Sequence, residues 1–102
     1  MQIKLHKPLT YHDAELDTLD LDLDGLTGND MIDAESNVRR AYPGSPLYGA
    51  RHIAAIASKA SHIPAEVITG MNARDFLRLQ GEIMDFFSPS SLEASQPDNS
   101  DN

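Results

Sequence analysis

The sequence predicts an α+β fold: a small single domain with an N-terminal antiparallel β-hairpin followed by three to four helices. Three observations lead there. Apolar and polar residues alternate in two short runs before residue 25, the period of half-buried strands. From residue 28 onward the apolar spacing becomes helical, interrupted around Pro43, Pro64 and Gly70. A chain of 102 residues holds one domain with a modest core and little stability to spare.

The first run, Met1 to Lys7, sets Ile3 and Leu5 against Gln2, Lys4 and His6. Pro8 is expected to end it, with a loop over Tyr11 to Ala14. In the second run Leu19, Leu21 and Leu23 alternate with Asp20, Asp22 and Asp24. An antiparallel hairpin with one leucine face and one aspartate face follows. Two strands alone are marginal in water, so the leucine face must pack on helices.

The first helix is expected after Thr27, where Thr27 and Asp30 have the spacing of a capping box with Asp in place of Glu. Met31, Ala34, Val38, Ala41 and Tyr42 follow at helical spacing, and Arg39 and Arg40 suit the dipole of the last turn. The second helix is expected from about Leu47 to Ser61, with Ile53, Ile56, Ala60 and Ile63 on one stripe. Ala50, Ala54, Ala55 and Ala57 fill much of its remaining surface, so another helix has room to approach closely. A short third helix opens at Pro64 and is capped by Gly70. The fourth opens at Asn72, with Phe76, Leu79, Ile83 and Phe86 on one stripe and Leu77, Met84 and Phe87 on the adjoining one. Its apolar arc is wider than one buried face requires. Either both stripes serve the core, or one of them is an interface. The domain is thus expected over residues 1–87, as a hairpin (1–24) and a helical part (28–87), with residues 88–102 a disordered acidic tail.

Composition narrows the function. Eight Lys and Arg against sixteen Asp and Glu give a formal charge of −8, which argues against nucleic acid as the partner. Nine of the sixteen carboxylates fall between Asp13 and Glu35, and Asp17, Asp20, Asp22 and Asp24 define an acidic face. The absence of cysteine excludes disulfides and thiolate metal sites. No apolar run approaches a membrane span and no signal-peptide core is visible, so a soluble, intracellular chain without membrane contact is expected.

A search for catalytic chemistry comes back empty. Asp20 to Gly25 matches the opening of an EF-hand loop, but Met31 stands where the bidentate Glu belongs, so a solvated strand face is the better reading. The four histidines lack a zinc-type spacing. Ser45 lacks a nucleophile elbow, and no glycine-rich phosphate loop occurs. No metal, cofactor or enzymatic activity is expected. Glu35 lies on the apolar side of the first helix, where it either pairs with Arg39 one turn on or acts as an interfacial carboxylate.

Several segments, in order, carry a family resemblance. They are Ile3 to Pro8, Leu26-Thr27-Gly28-Asn29-Asp30 through Ala34-Glu35, His52-Ile53-Ala54-Ala55-Ile56-Ala57 through Ile63-Pro64-Ala65-Glu66-Val67-Ile68, Asn72-Ala73-Arg74-Asp75-Phe76, and Ile83-Met84-Asp85-Phe86-Phe87. Together they resemble the tail assembly chaperone family of contractile-tailed (Mu-like and P2-like) phages. The resemblance implies a late phage or prophage protein that binds the tape measure protein and keeps it soluble while the tail tube assembles. It also implies a place in the host bacterial cytoplasm, absence from the mature virion, and in some relatives a frameshifted longer form that recruits tail tube protein. On this reading the second and fourth helices supply the partner-binding residues, Ile53, Ile56, Phe76, Leu77, Ile83, Met84 and Phe87 with Glu35, aided by homo-oligomer formation. The rival reading is an acidic protein-binding adaptor or DNA mimic acting through the Asp-rich hairpin.

Overall fold

The computed structural model describes residues 1–88. Strands β1 (Gln2–Tyr11) and β2 (Ala14–Asp20) form an antiparallel two-stranded sheet. His12 and Asp13 connect them with φ of 52° and 61°, the left-handed pair that a tight two-residue hairpin turn requires.

Pro8 does not end the first strand, contrary to the sequence expectation; β1 continues to Tyr11. The register explains why. Lys4 lies opposite Thr18 and Leu9 opposite Leu16, so β1 advances further than β2 over that stretch. The extra residues form a bulge, and a proline is tolerated there because the bulge removes it from the ladder. Leu21 and Leu23 lie past the end of β2 yet keep the alternation and are buried with Leu19. The Leu21 N–H donates to the Met1 carbonyl at 2.7 Å, and the Asp22 N–H donates to the Ala60 carbonyl at 3.0 Å.

Helix α1 (Gly28–Ala41) begins with the expected capping box. The Thr27 hydroxyl accepts from the Asp30 N–H, and the Asp30 carboxylate accepts from the Thr27 N–H. That backbone bond leads the influences that hold the Asp30 carboxyl below its ordinary value. Of the expected stripe, only Ala34 and Val38 are buried; Met31 is half-buried, and Ala41 and Tyr42 stay exposed.

Helix α2 (Ala50–Ser61) starts later than Leu47. Tyr48 has φ +61°, a left-handed residue that breaks helical continuity, and Leu47 is left exposed. A Cβ on Gly49, the N-cap, would sit 2.6 Å from Pro46 Cγ, so the tight entry needs glycine. The helix ends at His62, again left-handed (φ 63°). After Pro64 comes α3 (Ala65–Ile68), then α4 (Ala73–Phe86), capped by the Asn72 side-chain Oδ1, which accepts from the Arg74 and Asp75 N–H groups. Gly70 follows α3 without a positive φ, so it does not supply the left-handed cap that was expected.

Helix α2 packs against α1, α3, α4 and β2, while α4 and α3 cover β1. Leu19, Leu21, Ile53, Ile56, Ile68, Leu79 and Ile83 are fully buried between them. Each such side chain contributes roughly 1.5–3 kcal/mol by leaving water. The tail expected from residue 88 lies, apart from Ser88, outside the described residues.

Candidate partner-binding surface

Small side chains on three helices leave a trough on the outer side of α2. Ala34, Val38 and Ala41 come from α1, Ala54, Ala55 and Ser58 from α2, and Ala65 from α3. The hollow measures about 420 Å³. Its rim is Tyr42, Arg51, Lys59 and Glu66, with the Arg51 guanidinium 4.0 Å above the Tyr42 ring. That stacking orients the cation while leaving its edge available. A second hollow of about 410 Å³ shares Arg51 and Thr69 with the first and is closed by Ala50 and Phe76. The two together run along α2 from α1 to α4.

The charge of this surface departs from that of the whole chain. Arg51 and Lys59 border the trough, and Arg39 and Arg40 occupy the last turn of the adjoining α1. Alanine floors make a surface shallow enough for a helix to lie in, and Arg51 and Lys59, against the single lining carboxylate Glu66, leave its edge with a small excess of positive charge.

The residues that sequence reasoning nominated do not form one patch. Ile53, Ile56 and Ile83 are fully buried in the core and line neither hollow. Hydrophobic spacing identifies a stripe but not which way it faces. Phe76 is half-buried and closes the second hollow. Leu77 and Met84 are 66 % and 46 % exposed. Phe87 is half-buried and meets Phe86 edge-on, with ring centroids 4.9 Å apart. Glu35 pairs with Arg39 at 2.9 Å near the surface, a contact worth only a few tenths of a kcal/mol.

The acidic residues Asp17, Asp20, Asp22 and Asp24 are all exposed. Asp20, Asp22 and Asp24 share one side of the extended segment. Asp17 has the opposite parity but is exposed too, because the irregularity in the β1–β2 register turns Leu16, opposite buried Leu9, toward the core and so its neighbour Asp17 outward. The Asp22 carboxylate accepts the Gly25 N–H at 3.1 Å, which closes a local turn. Among the described residues no group of three or more His, Cys, Asp or Glu is placed to hold a metal.

Two buried polar residues escaped the sequence reading. Asp75 was legible only as a helix-start residue, yet its side chain is fully buried. Its carboxylate accepts the N–H of His6 at 2.8 Å and of Lys7 at 3.0 Å, the two donors that the β1 bulge removes from the ladder. Arg78 lies 3.8 Å away. Burial is the largest influence on this carboxyl and works to raise its pKa. The two backbone donors, with the charges of Arg78 and His6, outweigh it, and the net shift is downward. A proline inside an otherwise alternating strand was the available hint that β1 needed an outside acceptor.

His52 is the other. It is buried on α2, where its Nδ1 accepts the Tyr48 N–H at 2.8 Å. The neutral ring therefore carries its proton on Nε2, which has no hydrogen-bond partner among the described residues. Desolvation lowers its pKa, Glu35 opposes that shift and Arg39 reinforces it, with a net downward result.

Neither a curated protein nor a solved structure matches this chain. A family model does, over residues 2–88; its description is "Phage tail assembly chaperone proteins, E, or 41 or 14". That match covers both strands, all four helices and every residue lining the trough, and the chain belongs to the phage tail assembly chaperone family.

Proposed function

We propose that this tail assembly chaperone works without catalysis, by holding an apolar helical segment of the tape measure protein in the trough over α2 and so keeping that protein soluble until the tube forms around it. The observation that carries the reading is the alanine-floored trough, edged by Arg51, Lys59 and Glu66 and continuing to Phe76. An extended amphipathic client has to shield its apolar face, and a shallow groove with small side chains accepts helices of varied sequence. The chain's net charge of −8 keeps the complex in solution. The same reading places the protein in the host cytoplasm and outside the finished virion, with a longer frameshifted form engaging tail tube protein. No helix among the described residues is long and apolar enough to cross a membrane.

Co-expression tests it. The tape measure protein should be soluble and co-purify with the parent chain. Ala55→Phe, which fills the trough from a half-buried position, should abolish this while circular dichroism and melting stay near the parent's. Tape measure solubility indifferent to the chaperone would sink the proposal. Salt separates the rival: capture through the exposed Asp17, Asp20, Asp22 and Asp24 should weaken steeply with added salt, whereas capture in an apolar trough should persist.

A further inference from the structure

Helix α4 carries a second apolar surface. Leu77 and Met84 are the most exposed large hydrophobic residues of that helix, and neither lines the trough or the hollow beside it. They are seven residues apart, two turns on one face, about 10.5 Å along the axis. Gly81 lies between them, and a Cβ there would meet nothing within 4 Å. A glycine in mid-helix is costly unless close approach is wanted. We infer that this face pairs with the same face of a second copy, α4 against α4 in antiparallel orientation, with Leu77 of each copy against Met84 of the other.

Charge selects the partner and the orientation. The exposed charges of α4 are segregated, with Arg74 and Arg78 in the first half and Glu82 and Asp85 in the second. Among the described residues Arg74, Glu82 and Asp85 form no ion pair. A parallel pairing would set cations beside cations and carboxylates beside carboxylates. An antiparallel pairing centred near Gly81 sets Arg74 beside Asp85 of the other copy, twice by symmetry. A surface that is its own complement after a half-turn is the signature of a two-fold interface. The contact is a single helix pair, well below the roughly 800 Å² per partner of a stable interface, so the dimer dissociates on dilution. This pairing is independent of which partner the trough takes.

The test is sedimentation equilibrium on the full chain over a micromolar to millimolar series. The parent's mass should rise from 11.2 kDa towards twice that value, and Leu77→Glu should remain at the monomer mass throughout. Arg74→Glu and Asp85→Arg each place a charge that favours the helix dipole, so both should fold and each alone should fail to pair. Mixed in equal amounts they should recover the parent's mass, because every cross-contact is then between opposite charges. A parent that stays monomeric throughout, a Leu77→Glu chain that still dimerises, or a mixture that fails to recover would each overturn the inference. A monomeric parent whose tape measure binding is lost on Leu77→Glu would assign the face to the client instead.

Discussion

Replacing Asp75 by Asn should destabilise the domain by about 3–5 kcal/mol, despite leaving size and shape almost unchanged. The carboxylate is fully buried and accepts two consecutive backbone N–H groups, at 2.8 and 3.0 Å. An amide has one oxygen, so it can serve only one of them. The other loses a hydrogen bond to a charged acceptor, worth about 1.5–3 kcal/mol, and faces an NH₂ group, leaving a part-buried donor unsatisfied at a further 1–3 kcal/mol or so. Against a total stability of roughly 5–15 kcal/mol for a domain of this kind, the loss is large. Urea denaturation followed by circular dichroism should show a lower midpoint with an unchanged slope. The pH dependence supplies a second signature. The folded-state pKa of Asp75 is depressed, so its contribution is present above the unfolded carboxyl value near 3.9 and is lost as pH falls through the folded value. That acid limb should be missing from Asp75→Asn. A variant within about 0.5 kcal/mol of the parent, with the same acid limb, would refute the view that this carboxylate ties α4 to β1.

His52 should produce a separate limb at higher pH. Its folded pKa is lowered by burial, so stability is intact above the unfolded value near 6.5 and declines as pH falls below it toward the folded value; His52→Phe should flatten that limb in melts between pH 5 and 7. Thr27→Ala removes the acceptor for the Asp30 N–H and should cost about 1 kcal/mol, read as a shift in urea midpoint.

The sequence was most informative where the determinants are local. The capping box at Thr27 and the Asn72 cap are written in four consecutive residues, and the structure has both. Leu19, Leu21 and Leu23 were readable as a buried face because strand alternation does not depend on the partner. The bulge at Pro8 was not readable, since it is stabilised by Asp75, 69 residues from His6. The start of α2 was misplaced for a similar reason: an alanine-rich run masks a left-handed Tyr48 whose N–H is taken up by His52. On α4 the two stripes were legible, but only packing against β1 and α2 decides that Leu79 and Ile83 face inward and Leu77 and Met84 outward. The trough has no sequence signature. It is assembled from alanines on three helices, and alanine at any one of these positions is indistinguishable from ordinary helix filler.

Amide chemical-shift mapping of the full chain, on titration with helical peptides from the tape measure protein, bears most directly on the trough as the client site. The largest shifts should cluster at Ala34, Val38, Ala54, Ala55, Ala65 and Thr69, extend to Phe76, and persist at high salt. Shifts confined to the Asp17 to Asp24 segment and lost with salt, or no saturable shifts with any segment of the tape measure protein, would contradict it.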